Sequence, residues 1–191
     1  MAAGESRRMG RPKALLPFRG GTFLSVLAGT FANFCDPVIA IFGFDAENVR
    51  KSAPPGVLPV VNPNYREGML TSLQAGLRAC GDSFDAVLFT LVDHPAIKQE
   101  TISALLGTDA AITIPRFRGR RGHPVFISRE ICQGYLSEPA DSKVRDIIDR
   151  HAGLIRYVDV DDAGICDDID DPALYAALLA RDNASHEGAQ P

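Results

Sequence analysis

The opening residues Ala2-Ala3-Gly4-Glu5-Ser6-Arg7-Arg8-Met9-Gly10-Arg11-Pro12-Lys13 mix small side chains with basic ones. Small residues let backbone amides approach an anion closely, and Arg8 and Lys13 carry charge that can neutralise a polyphosphate. The same residue types also make an ordinary solvated loop, and Arg7 and Arg11 read as surface charges. Asp93 ends the apolar run 86–92, where a buried carboxylate needs a partner. Mg²⁺, a hard ion commonly held by one or two carboxylates plus substrate phosphates, is one such partner; a helix N-terminal cap is the other reading. Further on, Asp159, Asp161, Asp162, Asp167, Asp168, Asp170 and Asp171 crowd one stretch. That density requires either a cation or generous solvent, and Asp171 reads as a cap ahead of Pro172.

The elements that must position these groups alternate. Residues 22–34 read as a helix, with Phe23, Leu27 and Phe31 at helical spacing. Residues 37–42 and 57–61 read as short apolar strands, the second ending at Asn62-Pro63. A helix over 70–77, a buried strand over 86–92 and a helix over 97–106 follow. Strands over 110–114 and 124–127, a helix over 141–151, an extended stretch over 155–160 and a helix over 172–179 complete the pattern. Such alternation predicts a mainly parallel sheet covered on both faces. One strand is missing, because a phosphate loop normally follows a sheet strand and Met1-Ala2-Ala3 leaves no room for it. Either the fold tolerates the gap or the natural chain starts further upstream; the second is the expectation adopted. The missing strand's neighbours would be left with unpaired backbone groups.

The 191 residues, 46% of them hydrophobic, suffice for one domain, predicted over 1–182 with a flexible polar tail over 183–191. A net charge of −4 gives no reason to expect nucleic acid or a membrane surface. No apolar run is long enough to span a bilayer, and no signal-like start is present. Cys35, Cys80, Cys132 and Cys166 form no CxxC pair and read as small buried hydrophobes, which together with these absences points to the cytoplasm. GxGxxG after a strand and GxxxxGK[ST] are both absent, so dinucleotide binding and P-loop hydrolysis lose support. Arg116, Arg118, Arg120 and Arg121 make a local basic cluster that suits an anionic ligand or an exposed loop; no aromatic ladder accompanies it to suggest RNA.

Taken in order, these motifs resemble the MobA-like nucleotidyltransferases, and within them the molybdopterin cytidylyltransferase branch, from Ala2 to Leu179. Gly4, Ser6, Arg8, Met9, Gly10, Pro12 and Lys13 match the opening signature, with Met1 where a Leu is usual. Asn62-Pro63 and Gly68-Met69-Leu70-Thr71-Ser72-Leu73 are similar to the segment that helps enclose the nucleotide. Val92-Asp93-His94-Pro95 matches the metal-binding segment, with His94 replacing the usual Gln or Met. Gly122-His123-Pro124-Val125 matches the GHP segment of the branch, and Asp168-Ile169-Asp170-Asp171-Pro172 its late motif, with Asp171 in place of Thr.

The resemblance implies a Rossmann-like three-layer nucleotidyltransferase fold with a mostly parallel mixed sheet. It implies Mg²⁺-dependent transfer of CMP from CTP to the phosphate of molybdopterin or the molybdenum cofactor, releasing pyrophosphate. Arg8, Lys13 and Asp93 are then the catalytic candidates. Nucleotide contacts fall to Ala2, Ala3, Gly4, Ser6, Arg8, Lys13, Gly68, Leu70, Ser72 and Asp93. Leu70 is expected to pack the pocket, Gly68 to give backbone clearance, and Ser72 to donate a hydroxyl or merely cap its helix. Asp93 and Asp170 are the implied metal ligands, with Asp168 as an alternate. His94, Gly122, His123 and Pro124 are placed near the acceptor. A molybdenum hydroxylase or its maturation chaperone is the implied recipient. Use of GTP, a sugar-phosphate acceptor, and a weakly catalytic pterin-cofactor handover protein remain the alternatives.

Overall fold

A computed structural model describes residues 1–187. A short hairpin of β1 (Pro17–Phe18) and β2 (Gly21–Thr22) leads into helix α1 (Phe23–Ala32). There follow β3 (Val38–Phe42), α2 (Ala46–Val49), β4 (Val57–Val61), α3 (Met69–Cys80), β5 (Ala86–Phe89), α4 (Gln99–Leu106) and β6 (Ile112–Phe117). The chain closes with β7 (Arg120–Arg121), β8 (Val125–Ser128), α5 (Arg129–Ser137), α6 (Val144–Arg150), β9 (Ile155–Asp159) and α7 (Pro172–Glu187). Thr22 starts α1 with a reciprocal cap: its Oγ1 accepts from Ser25 N at 3.2 Å, and its N donates to Ser25 Oγ at 2.7 Å. Gly68, at φ 138°, begins α3, and Gly81, at φ 66°, ends it.

The strands form a mixed sheet. β8 pairs antiparallel with both β5 and β6, and β9 pairs parallel with β6, so β5, β6 and β9 share one direction and β8 reverses it. β3 and β4 form a separate parallel pair. The period of two along each strand divides the core between two helical layers. On β3, Ile41 meets Gly76 of α3, while Ala40 and Phe42 pack with Leu24 of α1. On β5, Val87 and Phe89 join the cluster of α3, α5 and α6, whereas Leu88 joins that of α1 and α4. Three layers result, as the resemblance implies.

Several boundaries depart from expectation. β5 stops at Phe89 rather than at residue 92, leaving Asp93 on a loop, and β6 runs further than expected. Helix α5 is absent from the sequence reading because it buries only Ile131, Cys132 and Tyr135, a thin apolar stripe. The tail expected from Asn183 is helical as far as Glu187, since Ala, Leu and Arg favour helix and Asp182 Oδ1 accepts from both Nε and Nη2 of Arg19, at 2.9 and 2.7 Å. Residues 188–191 of that predicted tail lie outside the described residues.

In space, among the described residues, no strand joins β3 to β5. Residues 1–3 bridge the end of this gap: Ala2 N donates to Ile41 O at 2.8 Å and Phe44 N to Ala3 O at 3.0 Å. On the other side Met1 N donates to Thr90 O at 2.7 Å and Val92 N to Met1 O at 3.0 Å. These bonds follow a parallel pattern on both sides. Behind them lies a cavity of about 610 Å³ walled by Ile39, Ile41, Leu73, Leu77, Val87 and Phe89. Among the described residues no helix is long and apolar enough to cross a membrane.

Candidate active site

The opening loop folds back on itself. Residues Arg7–Met9 make one tight turn between Ser6, at φ 51°, and Gly10, at φ 73°. Lys13 N donates to Ser6 Oγ at 3.2 Å, and Ala14 and Leu16 are buried beyond it, so the base of the Lys13 side chain is anchored. This loop forms one wall of a cleft of about 420 Å³. Ala2, Ala3, Gly4, Ser6, Arg8, Lys13, Gly68, Ser72, Asp93 and Asp170, all named from the sequence, line it. Leu70 does not. It is fully buried in the core beneath α3, because the position facing the sheet on that helix takes the apolar side chain.

Lys13 is the centre of the cleft. Only 8% of it is exposed, and its Nζ donates to Asp93 Oδ2 at 2.9 Å and to Asp170 Oδ1. Arg8 donates to the other oxygen of Asp170. Burial works against the Lys13 ammonium, but the bonds to Asp170 and Asp93 outweigh it and raise its pKa. Burial likewise works against ionised Asp170, yet Lys13 and Arg8 hold its pKa below the usual range. Asp168 moves upward, first through burial and then through the charges of Asp93 and Asp170.

Asp93, Asp168 and Asp170 each offer an oxygen within 4.8 Å of the others, and Asp93 Oδ1 is buried with no hydrogen-bond partner. An all-oxygen donor set with a spare buried lone pair fits a hard divalent cation such as Mg²⁺. The alternative reading of Asp93 as a helix cap fails, because Lys98 occupies the position ahead of α4.

The remaining acidic residues have other duties. Asp159 pairs with Arg116 at 2.7 and 2.8 Å, and Asp167 with Arg181. Buried Asp162 accepts from Lys98 N, Thr101 Oγ1 and Gly164 N at 2.7–2.9 Å, tying the loop before α4 to the turn Ala163–Cys166. Asp171 caps α7 through Leu174 N at 2.9 Å, as its position before Pro172 suggests. The basic cluster is likewise partly consumed: Arg121 reaches Asp149 at 3.1 Å and Tyr157 Oη at 3.2 Å.

Ser72 is no cap; Gly68 holds that position. Asn62, which the sequence placed at the end of a strand and in the nucleotide-enclosing segment without a role of its own, organises this wall. Its buried Nδ2 donates to Thr71 Oγ1 at 2.9 Å and Ser72 Oγ at 3.0 Å. Met69 of the Gly68-to-Leu73 segment also lines the cleft, as do Phe44 and Tyr65, which were not foreseen, since nothing in their spacing separates them from packing residues.

The residues assigned to the acceptor sit behind Asp93 rather than among the residues lining the cleft. His94 and His123 face each other with ring centres 4.6 Å apart, and His94 Nε2 lies 3.6 Å from Asp93 Oδ1, too far for a hydrogen bond. Burial, reinforced by Lys13, lowers the His94 pKa to about 4; burial, reinforced by His94, lowers that of His123 to about 3. Gly122 has a packing reason: a Cβ there would strike the backbone of Ile165, whose carbonyl accepts from His123 N at 2.9 Å. Pro124 follows His123 through a cis peptide bond.

Residues 1–154 match the model of the MobA-like NTP transferase domain family. The molybdenum cofactor cytidylyltransferase of Escherichia coli K12 is 29% identical over 175 residues, 90% of this chain and 88% of that protein. The nicotine blue oxidoreductase of Paenarthrobacter nicotinovorans is 31% identical over 185 residues, covering 89% of each. The crystal structure of Rv0371c from Mycobacterium tuberculosis H37Rv aligns with a TM-score of 0.81 and 28% identity over 94% of both chains. A manganese complex of the same protein aligns at 0.72 with 25% identity, over 93% of this chain and 94% of that one. On this match across most of its length, the chain belongs to the MobA-like NTP transferase domain family and is a nucleotidyltransferase.

Proposed function

We propose that the protein transfers CMP from CTP to the terminal phosphate of molybdopterin or the molybdenum cofactor, with release of pyrophosphate. The observation that carries this reading is the convergence of Lys13 and Arg8 with Asp93, Asp168 and Asp170 in one cleft. The Escherichia coli relative named for that reaction supports the nucleotide and acceptor, as does the Gly122-His123-Pro124 segment.

Lys13 and Arg8 bind the triphosphate, and the loop backbone from Ala3 to Ser6 lies against it. Ser72, oriented by Asn62, contacts the ribose or base. Asp93 and Asp170, with Asp168 beside them, would hold Mg²⁺, which when bound neutralises the reacting phosphates and the leaving pyrophosphate. An oxygen of the acceptor phosphate forms the new bond to the α-phosphorus as the bond to pyrophosphate breaks. A phosphate monoester is already largely dianionic near neutral pH, so this step needs no general base. That agrees with the neutral, buried state of His94 and His123. The imidazole pair acts as the wall against which Asp93 is held. A molybdenum hydroxylase or its maturation chaperone would receive the product.

The test is pyrophosphate release with purified molybdopterin, comparing CTP with GTP in Mg²⁺ and Mn²⁺. CTP-selective, acceptor-dependent release is expected. Release with GTP would reassign the nucleotide. Acceptor binding without release would favour cofactor handover. The Paenarthrobacter relative gives a second reading, redox conversion of nicotine blue, and turnover of that compound with an added nicotinamide or flavin hydride carrier and no pyrophosphate release would favour it.

A further inference from the structure

The carboxylate cluster has its cations built in. Lys13 Nζ bonds one oxygen of Asp93 and one of Asp170, and Arg8 bonds the other oxygen of Asp170. Three of the four oxygens that these two aspartates offer are therefore taken by basic side chains, and Asp93 Oδ1 alone is left without a partner. A divalent cation and the Lys13 ammonium would compete for the same oxygens and repel each other at that range. Both basic side chains also line the cleft that would take the triphosphate.

We propose that Lys13 and Arg8 are counter-ions that hold the metal-binding carboxylates shut in the nucleotide-free protein, and that a nucleoside triphosphate opens the metal site by drawing them onto its phosphates. The proposal rests on the nucleotide reading of the cleft. The anchored base of Lys13 makes the exchange local: the backbone stays tied to Ser6 while the ammonium moves along the cleft. Asp93 and Asp170 exchange one cation for another and are never left bare, which avoids the cost of unpaired carboxylates in a partly buried site. Binding is then coupled in both directions, nucleotide favouring metal and metal favouring nucleotide.

Mn²⁺ binding to the full chain without nucleotide, followed by electron paramagnetic resonance, tests this directly. Lys13→Met keeps an unbranched side chain, one atom shorter, and removes its charge, and is expected to bind Mn²⁺ about tenfold or more tightly than the parent. Arg8→Met, which frees only one Asp170 oxygen on an exposed side chain, is expected to show a smaller gain in the same direction and serves if the first variant does not fold. Adding Asp93→Asn to either variant is expected to abolish the gain. Mn²⁺ affinity equal to or weaker than the parent's in the folded Lys13→Met or Arg8→Met protein would overturn the proposal, as would a gain that survives Asp93→Asn. CTP and GTP binding is measured separately by calorimetry on the parent chain. Absence of binding by either nucleotide defeats the nucleotide reading, whereas nucleotide binding with unchanged Mn²⁺ affinity in the variants defeats only the counter-ion role.

Discussion

Asp93 and Asp170 share Lys13, while Asp171, one position on, faces away to cap α7. Neighbouring aspartates with such different surroundings should respond differently to the same change. Asp93→Asn or Asp170→Asn is expected to lower pyrophosphate release on the order of a hundredfold or more, the scale of losing a charge-stabilising group in an active site. Asp171→Ala should retain activity and lose about 1 kcal/mol of stability, read from urea unfolding; a large activity loss there would mean the late motif acts as one unit. The histidine pair makes a pH prediction. Their folded pKa values, about 4 and about 3, lie below the ordinary 6.5, so the unfolded chain binds their protons first. The stability they contribute is complete above pH 6.5 and is lost as pH falls towards the folded values. The urea midpoint should therefore drop between pH 6.5 and 5, and drop less steeply in a His94→Gln, His123→Gln double variant. Equal slopes in parent and variant would rule this out.

Short loops between elements, more than the elements themselves, deliver these side chains. Asn62 leaves β4 and pins Thr71 and Ser72 on the first turn of α3, so removing it should loosen the cleft wall without touching the carboxylates. Asn62→Ala is expected to raise KM for the nucleotide about tenfold with a smaller change in kcat, because buried hydroxyls lose a partner on the binding side; a pure kcat effect would place Asn62 nearer the chemistry. Gly122 lies where the entry to β8 passes against the turn Ala163–Cys166, and a Cβ would meet the Ile165 backbone. Gly122→Ala should cost about 1–3 kcal/mol, as overpacking does. Helical spacing in the sequence located α1 within two residues, since Phe23, Leu27 and Phe31 are buried on one face, and short apolar runs located β3 and β4. The apolar run placed the end of β5 too late because Val92 is apolar for packing against the α1 and β3 cluster, while Leu91 lines the cleft.

At the scale of the whole molecule, an apolar cavity lies next to the candidate site. Residues 1–3 join β3 to β5 only at the end where the opening loop begins, and the apolar cavity fills the rest of the gap. A five-residue extended apolar segment fused ahead of Met1 should enter that cavity. Burying two or three of its side chains should add about 3 kcal/mol or more, visible as a higher urea midpoint; an unchanged midpoint would show that the cavity cannot admit a strand. The order and spacing of motifs along the chain were enough to determine the family and to bring forward the opening loop, Asp93 and Asp170, which the fold gathers in one cleft. Tertiary structure alone decided which of the crowded aspartates face Asp93 and which pair with Arg116 or Arg181, or cap a helix. It alone withdrew Leu70 into the core, set the His94–His123 pair behind Asp93, and revealed Lys13 seated on the carboxylates. Direction and burial of a side chain depend on what packs against it from distant parts of the chain, and no local pattern records that.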